Sequence, residues 1–245
     1  MREWSGKRYW LIGASEGLGA ALAEVMSRAG VSLVLSARSA DRLRDLAGRL
    51  PGRCEVVALD VTDADADAVR HAAEEVGEVD GVVYLAGVYW PMATQDWDFD
   101  KANAMADVNF TGLMRVMGAV VPAMVARDRG HLVITGSLSG FRGLPGAIGY
   151  SASKAGVMTL AESMYADLRK TGVEVQLVNP GFIRTRLTDK NDFAMPFIMD
   201  PEPAARIVFD HMGTAKFKRS FPALFSRVFR GAQFLPDWLY YRLFA

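Results

Sequence analysis

Short apolar runs alternate along the chain with longer segments in which apolar positions recur every three or four residues. The short runs predict β-strands at about residues 7–12, 32–37, 55–59, 81–85, 131–135 and 173–178. The longer segments predict helices at about residues 18–29, 40–50, 63–76 and 101–127, and around residues 150–154. Strands that alternate with helices favour a parallel sheet covered on both faces. The pattern therefore predicts an α/β fold with a doubly wound parallel sheet, in a single domain with a C-terminal helical extension.

The composition suits one folded domain and excludes several other classes of protein. The 245 residues are 51% hydrophobic, which is enough for a large core. Acidic and basic residues number 28 each, and no basic stripe with aromatics precedes the C-terminal end, so nucleic-acid binding is not expected. Cys54 is the only cysteine, which excludes an intrachain disulfide and suits a cytoplasmic location. We expect no signal peptide, no bilayer-spanning run and, without HxH or HExxH, no metal site.

A glycine-rich turn joins the first predicted strand to the first predicted helix. It consists of Gly13, Ala14, Ser15, Glu16, Gly17, Leu18 and Gly19. Glycine is needed where a side chain would block a pyrophosphate, and the following helix offers free N–H groups and the positive end of its dipole. The turn therefore predicts a dinucleotide cradle, with a ligand-free turn as the alternative. It also matches the GxSxG elbow of serine hydrolases with Ser15 as nucleophile, but only 12 residues precede it, too few for the oxyanion-hole loop.

Tyr150 and Lys154 are four residues apart in a predicted helix, so their side chains lie on one face. A nearby ammonium lowers the pKa of a phenol and makes it a usable acid or base at neutral pH. Ser137 follows an apolar run and precedes a Gly-rich loop, so its hydroxyl could bind a substrate oxygen. Tyr and Lys at this spacing are usually surface residues, so the pair indicates catalysis only in combination with the glycine turn.

The glycine turn together with Tyr150 and Lys154 resembles the short-chain dehydrogenase/reductase family, whose members have a Rossmann-like domain. The resemblance covers about residues 7–213 and includes Asn109 in the long predicted helix. It extends to positions at which the family contacts its cofactor, which are Asp60, Val61, Ala86, Gly87, Pro180, Gly181, Ile183 and Thr185. The chain departs from the family at Tyr84 and Leu85, where asparagines are usual.

The resemblance implies an oxidoreductase that transfers a hydride between NAD(P) and a carbonyl or alcohol. Tyr150 would exchange a proton with the substrate oxygen, and Ser137 would orient that oxygen. Lys154 would lower the tyrosine pKa and bind the nicotinamide ribose, while Asn109 would hold a water linked to bulk solvent. A homodimer or homotetramer is also expected. The alternative is a non-catalytic dinucleotide-binding module that senses redox state, although such a module needs no proton donor.

The residues after the second predicted strand favour NADP over NAD. An acidic residue here would bind the ribose 2′-hydroxyl and repel a 2′-phosphate, but the position holds Ala37. The next residue, Arg38, can pair with the phosphate, although it could also cap the next helix or stay solvated. Glu16 is a contrary feature, since many NADP-binding relatives have a basic residue at that position.

Residues 182–199 correspond to the mobile lid over the substrate in the family. The apolar residues of this segment are Phe182, Ile183, Leu187, Phe193, Met195, Phe197, Ile198 and Met199. They favour an apolar small-molecule substrate, but phenylalanine and methionine are also common in cores and interfaces. Arg184 and Arg186 could instead bind an anionic group.

Residues 216–245 differ in composition from residues 1–215, which form the predicted NAD(P)-binding catalytic domain. Six basic residues stand against Asp237 alone, which gives the segment a net charge of +5. Apolar residues are interleaved with these charges, and Pro236 and Asp237 are expected to divide two short amphipathic helices. Such a segment could cover the lid or a subunit interface, or it could make peripheral contact with an anionic membrane surface.

Overall fold

The fold is built on one parallel sheet. The computed structural model describes residues 2–63 and 67–244. Within these residues the strands are β1 (Arg8–Ile12), β2 (Ser32–Ser36), β3 (Cys54–Val56), β4 (Gly81–Tyr84), β5 (Gly130–Thr135), β6 (Val173–Pro180) and β7 (Lys218–Phe221). Their order across the sheet is β3-β2-β1-β4-β5-β6-β7, and every neighbouring pair is parallel. The predicted doubly wound α/β fold is confirmed.

Helices cover both faces of this sheet. The α-helices of the described residues are α1 (Gly17–Arg28), α2 (Ala40–Ala47), α3 (Ala68–Val76), α4 (Phe99–Ala106), α5 (Gly112–Ala126), α6 (Ile148–Leu168), α7 (Pro201–Met212), α8 (Ala223–Ala232) and α9 (Asp237–Phe244). Side chains alternate between the two faces along each strand, so β1 points Trp10 towards α3, α5 and α6 and points Leu11 towards α1, α2 and α7. This burial on both faces explains why the strands are continuous apolar runs in the sequence.

Several predicted elements have different bounds in the structure. The strand predicted at 55–59 is Cys54–Val56 in the structure, yet the amides of Val57 and Leu59 still donate to the carbonyls of Leu35 and Ala37, both at 3.1 Å. The helix predicted from residue 63 begins at Ala68, and residues 64–66 lie outside the described part of the chain.

The helix predicted at 101–127 is interrupted by one wider π-helical turn, Asp107–Thr111, between α4 and α5. The whole stretch Phe99–Ala126 has 28 residues, and an 18-residue window within it has a mean hydropathy of 1.4, so by length and composition it would also suit a membrane span. A run long enough to span a bilayer was not expected from the sequence. In the fold, Leu113 and Val116 of this stretch pack in the core beside the sheet.

The C-terminal segment contains both a strand and helices. The two short helices divided at Pro236 are present as α8 and α9. The segment also supplies β7, which pairs with β6 from Lys218 opposite Leu177 to Phe221 opposite Pro180. The pattern did not predict this strand, because its charged residues suit a sheet edge rather than an apolar run. The sheet therefore extends to Phe221, six residues beyond the end of the predicted domain, and the helical extension follows it.

Candidate active site

A cleft of about 680 Å³ lies at the carboxyl ends of the strands, where parallel sheets bind their ligands. Its lining includes the glycine turn, the ends of β4, β5 and β6, the start of α6 and residues of the segment 182–193. Apart from Asn109, which is fully buried just behind it, the cleft is lined by all the residues that the sequence analysis singled out for catalysis or cofactor binding. The structure therefore brings these residues together.

The glycines of the turn are required by close backbone contacts. Gly13 has φ +90°, and a Cβ there would lie 2.4 Å from the amide nitrogen of Ala86. A Cβ on Gly19 would lie 2.1 Å from the carbonyl oxygen of Gly13, so helix α1 can approach β1 only with glycine there. Glu16 precedes α1 without capping it by its side chain, so the first N–H groups of the helix remain available to an anion. The turn has the shape and the donors that a pyrophosphate needs.

Charged side chains surround the end of the cleft beyond this turn. Glu16 forms ion pairs with Arg42 at 3.0 Å and with Arg186 at 2.8 Å. Arg38 is exposed and lines the cleft, and it has no hydrogen bond or ion pair within residues 2–63 and 67–244. Two guanidinium groups therefore balance the negative charge of Glu16, and Arg38 remains free to bind an anion.

The residues that come after β3 in the chain form the next wall of the cleft. Asp60 accepts hydrogen bonds from the amide and the hydroxyl of Thr62, at 2.9 and 2.7 Å, so its carboxylate holds the turn after the strand. Val61 packs against Gly112, where a Cβ would lie 2.7 Å from a methyl group of the valine. Both Asp60 and Val61 face the cleft, as the resemblance implied.

Tyr150 lies on the first turn of α6 and contacts two hydroxyl-bearing side chains. The hydroxyl of Ser137 is close enough to the phenol to act on its pKa, and it lies 2.9 Å from the hydroxyl of Ser139. The ring of Tyr89 meets the Tyr150 ring edge to face with a centroid distance of 4.9 Å. Burial raises the pKa of Tyr150 to about 12, although the neighbouring Ser137 hydroxyl opposes that effect. Tyr150 is therefore held as a neutral phenol, which is the form that can donate a proton.

Lys154 is almost fully buried one helical turn further along α6. Its Nζ donates to the carbonyl of Thr135 at 2.9 Å and lies 5.8 Å from the centroid of the Tyr150 ring. Burial lowers the pKa of Lys154 to about 8. The expected lowering of the tyrosine pKa is not present in this arrangement, because burial outweighs an ammonium that is directed at a backbone carbonyl.

Asn109 lies in the π-helical turn and is fully buried. Its side-chain oxygen accepts from the amide of Val88 at 2.8 Å, and its nitrogen donates to the Val88 carbonyl and to the Ser153 hydroxyl, both at 3.0 Å. Both amide protons are therefore in use. The side chain ties the segment after β4 to helix α6, and so positions the backbone around Gly87 beside Lys154.

Tyr84 shows how the chain accommodates its departure from the family pattern. The side chain is buried at the end of β4, and its hydroxyl donates to the carbonyl of Val108 at 2.6 Å. A π-helical turn leaves a backbone carbonyl without its usual partner, and Val108 is in that turn. A Cβ on Gly112 would lie 2.8 Å from the hydroxyl oxygen of Tyr84, so the glycine makes room for it. Tyrosine thus supports the turn that holds Asn109.

The segment corresponding to the lid lies over one side of the cleft, and the predicted residues Pro180, Gly181, Ile183 and Thr185 line it there. The amide of Gly181 donates to the carbonyl of Phe221 on β7 at 2.7 Å. Lys190 donates to the carbonyl of Tyr89 at 2.7 Å, and its Nζ lies 4.1 Å from the centroid of the Trp90 ring. The segment is therefore fastened to both sides of the cleft opening.

The end of the cleft beyond Tyr150 is aromatic and includes residues that sequence reasoning missed. These are Tyr89, Leu144, Phe225, Phe229 and Phe244. Phe225 lies 5.8 Å from Phe182, 5.6 Å from Phe197 and 4.9 Å from Phe229 by ring centroids. The many aromatic residues of the C-terminal segment were visible in the sequence. No local pattern, however, indicated which of them face the cleft.

The serine-hydrolase alternative finds no support in the described part of the chain. No histidine lines the cleft near Ser15. His131 is buried between Tyr9 and Gln176, at 2.8 and 2.9 Å, and burial lowers its pKa to about 3. No group of three or more His, Cys, Asp or Glu side chains among residues 2–63 and 67–244 is arranged to hold a metal ion.

Comparison with known proteins gives the family of the chain. Residues 7–194 match the sequence profile of the short chain dehydrogenase family. An uncharacterized oxidoreductase of Myxococcus xanthus is 39% identical over 98% of this chain and 97% of its own. A short-chain dehydrogenase from Sphingobium yanoikuyae, solved in complex with NADPH, is 28% identical with a TM-score of 0.82, over 89% of this chain and 88% of its own. One from Burkholderia cenocepacia in complex with NADP, 24% identical, shares the fold over 100% of both chains, with a TM-score of 0.87.

Proposed function

Because the chain belongs to the short-chain dehydrogenase/reductase family and is an NAD(P)-dependent oxidoreductase, we propose that it is an NADP-dependent enzyme for apolar carbonyl compounds and their alcohols. The observation that carries this proposal is that Ser137 and Tyr150 lie next to each other in the cleft that the glycine turn also lines. Lys154 is on the same face of α6 as Tyr150. A dinucleotide-binding module without activity would need no buried phenol next to a second hydroxyl.

Ser137, Tyr150 and Lys154 have different roles in carbonyl reduction. Bound NADPH supplies the hydride. Ser137 donates a hydrogen bond to the carbonyl oxygen, which orients and polarises it. Tyr150 donates its proton to that oxygen as the negative charge develops, and its raised pKa keeps the phenol protonated until then. Lys154, as an ammonium beside the phenolate that remains, stabilises the charge left by proton transfer.

In this proposal Asn109 is a positioning residue. Its amide group is fully engaged with Val88 and Ser153, so it holds α6 and the segment after β4 in register. The predicted role of Asn109 in proton exchange with solvent stays a prediction.

The preference for NADP rests on Arg38. Its guanidinium is exposed at the cleft, has no partner in the described residues and follows Ala37 at the position where an NAD-binding chain has an acid. The contrary charge of Glu16 is balanced by Arg42 and Arg186. A 2′-phosphate would therefore meet net positive charge here. Binding of NADPH by the Sphingobium relative supports the same choice.

The preference for an apolar substrate rests on the aromatic end of the cleft. Phe182, Phe225 and Phe229 lie next to the space in front of Tyr150. Arg186 pairs with Glu16, and Arg184 pairs with Asp200 at 2.9 Å, so the charge of each is already partly balanced by a carboxylate. The predicted subunit assembly and cytoplasmic location stay predictions.

The proposal is tested by the oxidation of NADPH with a series of aldehydes and ketones of increasing apolar size. We expect Tyr150→Phe to lose about a hundredfold or more in kcat, because it lacks the proton donor, while it binds NADPH as the wild type does. Tyr89→Phe is the control, because it removes a neighbouring hydroxyl from the same ring pair. Its kcat should stay within about tenfold of the wild-type value. Turnover of Tyr150→Phe within about threefold of wild type would contradict the assignment.

A further inference from the structure

Helix α8 presents two neighbouring apolar stripes. Phe225 and Phe229 are four residues apart and line the cleft. Leu224 and Val228 have the same spacing, lie about 100° around the helix and are exposed. The inward stripe is explained by the cleft, but the outward side chains Leu224 and Val228 stay 62% and 51% exposed.

The outward stripe continues over the turn after α8 and along α9. We name the exposed apolar residues on the outward side of this region the outer face: Leu224, Val228, Phe234, Trp238 and Tyr241. Phe234 is 82% and Trp238 70% exposed, which is unusual for such large apolar side chains. Trp238 and Tyr241 are three residues apart and share one side of α9. The fold is complete without burying these side chains.

Positive charge accompanies the outer face. Arg227, Arg230 and Arg242 are exposed on the same two helices, and none has an ion pair among residues 2–63 and 67–244. Asp237, the only acid of the C-terminal segment, is already bound to Arg142. Exposed aromatic and aliphatic side chains interleaved with unpaired arginines are the chemistry of helices that lie in the interface of an anionic bilayer.

We propose that the outer face of α8 and α9 binds the surface of an anionic lipid bilayer. The apolar side chains would enter the boundary between headgroups and acyl chains, and Arg227, Arg230 and Arg242 would contact anionic headgroups. Because the inner stripe of α8 lines the cleft, binding would place the cleft next to the bilayer. This inference goes beyond the proposed function and holds for any substrate.

A second copy of the chain suits this surface less well than a bilayer does. A two-fold interface brings the same patch of both subunits together, so the arginines of one copy would oppose those of the other. Like charges across an interface are unfavourable, and the segment offers no free acid to pair with them. Anionic lipid supplies the missing negative charge.

The test is co-sedimentation of the full-length protein with vesicles. Vesicles of phosphatidylcholine mixed with phosphatidylglycerol are compared with vesicles of phosphatidylcholine alone. We expect binding to the anionic vesicles, with a partition coefficient that falls as ionic strength rises. Phe234→Ser with Trp238→Ser should lower the coefficient by about tenfold or more, since it removes the two most exposed rings of the outer face. Arg227→Gln with Arg230→Gln should lower it by about tenfold and flatten its salt dependence.

A matched pair outside the outer face controls for general surface hydrophobicity. Trp97 and Phe99, 61% and 73% exposed, are far from the outer face in sequence and do not line the cleft. Trp97→Ser with Phe99→Ser should bind anionic vesicles as the wild type does. Thermal unfolding and NADPH binding show whether each variant is folded, and neither depends on turnover. If the Phe234/Trp238 variant does not fold, the arginine variant alone decides.

Three results would overturn the proposal. The first is a wild-type protein that does not bind the anionic vesicles. The second is equal loss of binding in the Trp97/Phe99 control. The third is wild-type binding that both the Phe234/Trp238 and the Arg227/Arg230 variants retain. If sedimentation velocity shows that the Phe234/Trp238 variant separates into smaller species and the wild type ignores vesicles, the outer face is a subunit interface.

Discussion

The guanidinium carbon of Arg142 lies 4.0 Å from the centroid of the Tyr240 ring, and this contact joins the loop after Ser137 to the last helix. Arg142 also donates to the carbonyl of Leu235 at 2.7 Å and pairs with Asp237. Tyr240 in turn donates to the carbonyl of Gly143 at 2.8 Å. The C-terminal helices are therefore fastened to the loop that precedes Tyr150.

Arg142→Ala should weaken this attachment. We expect the free energy of unfolding to fall by about 1–3 kcal/mol, because the variant loses a cation–π contact and leaves backbone carbonyls without a donor. The kcat/KM for large apolar substrates should fall further than that for small ones, because α8 supplies Phe225 and Phe229 to the cleft. Urea unfolding and steady-state kinetics measure both effects. Arg230→Ala, at an exposed arginine of the same segment, is the control. Its free energy of unfolding should stay within about 0.5 kcal/mol of the wild-type value.

Lys154→Met should remove activity but make the protein more stable at pH 7. Burial lowers the pKa of Lys154 from 10.5 to about 8, so the native state holds this proton less tightly than the unfolded chain does. The difference corresponds to about 3 kcal/mol, part of which is offset because the variant loses the hydrogen bond to Thr135. We expect a net gain of about 1–2 kcal/mol.

The gain from Lys154→Met should also depend on pH. The wild type carries the full cost of the buried ammonium below pH 8 and loses it as pH rises from about 8 towards 10.5. The difference in stability between variant and wild type should therefore shrink over that range, which urea unfolding at several pH values measures. Lys170→Met, at an exposed lysine two residues after α6, should show no such change. A constant difference across this range would show that the buried charge is not the cause.

Arg38→Asp should reverse the choice of cofactor. The carboxylate repels a 2′-phosphate and can bind a 2′-hydroxyl, so NADPH should bind more weakly and NADH more tightly. We expect the wild type to prefer NADPH by at least about tenfold, equivalent to about 1.4 kcal/mol. Fluorescence titration with both cofactors measures the preference. Arg44→Asp, which lies on α2 outside the cleft, serves as the control, and unchanged NADPH affinity in Arg38→Asp would exclude a role for Arg38.

Two glycines of α5 should respond in opposite directions to alanine. Gly118 is exposed, and a Cβ there meets nothing within 4 Å, so Gly118→Ala should raise the free energy of unfolding by about 0.5–1 kcal/mol. A Cβ on Gly112 would lie 2.7 Å from Val61 and 2.8 Å from the hydroxyl of Tyr84. Gly112→Ala should therefore destabilise the protein by about 1–3 kcal/mol and disturb the turn that holds Asn109. Equal effects in urea unfolding would contradict this account of the packing.

Local sequence was sufficient wherever the physics is local or periodic. Continuous apolar runs such as residues 131–135 become central strands because both faces of the sheet are covered. The glycine turn was recognisable because close backbone approach at Gly13 and Gly19 admits no side chain. Tyr150 and Lys154 were placed on one helical face by their spacing alone.

Long-range contacts and burial were decided only in the folded chain. The charged strand β7 exists because β6 offers it an edge to pair with, and no pattern within residues 218–221 indicates that pairing. The pKa of Tyr150 is raised rather than lowered, because burial acts more strongly on it than an ammonium engaged with Thr135. Neither effect is visible in residue spacing.

The C-terminal segment shows most clearly which features the sequence determines and which only the tertiary structure decides. Its charge, its aromatic content and its two helices were determined by the sequence itself. Which side of α8 faces the cleft was decided by the tertiary structure, since Arg142 and Gly143 hold Tyr240 and so fix how the helices lie against the loop before α6. An amphipathic period shows that a helix has distinct sides, but only its contacts with distant residues determine which side is buried.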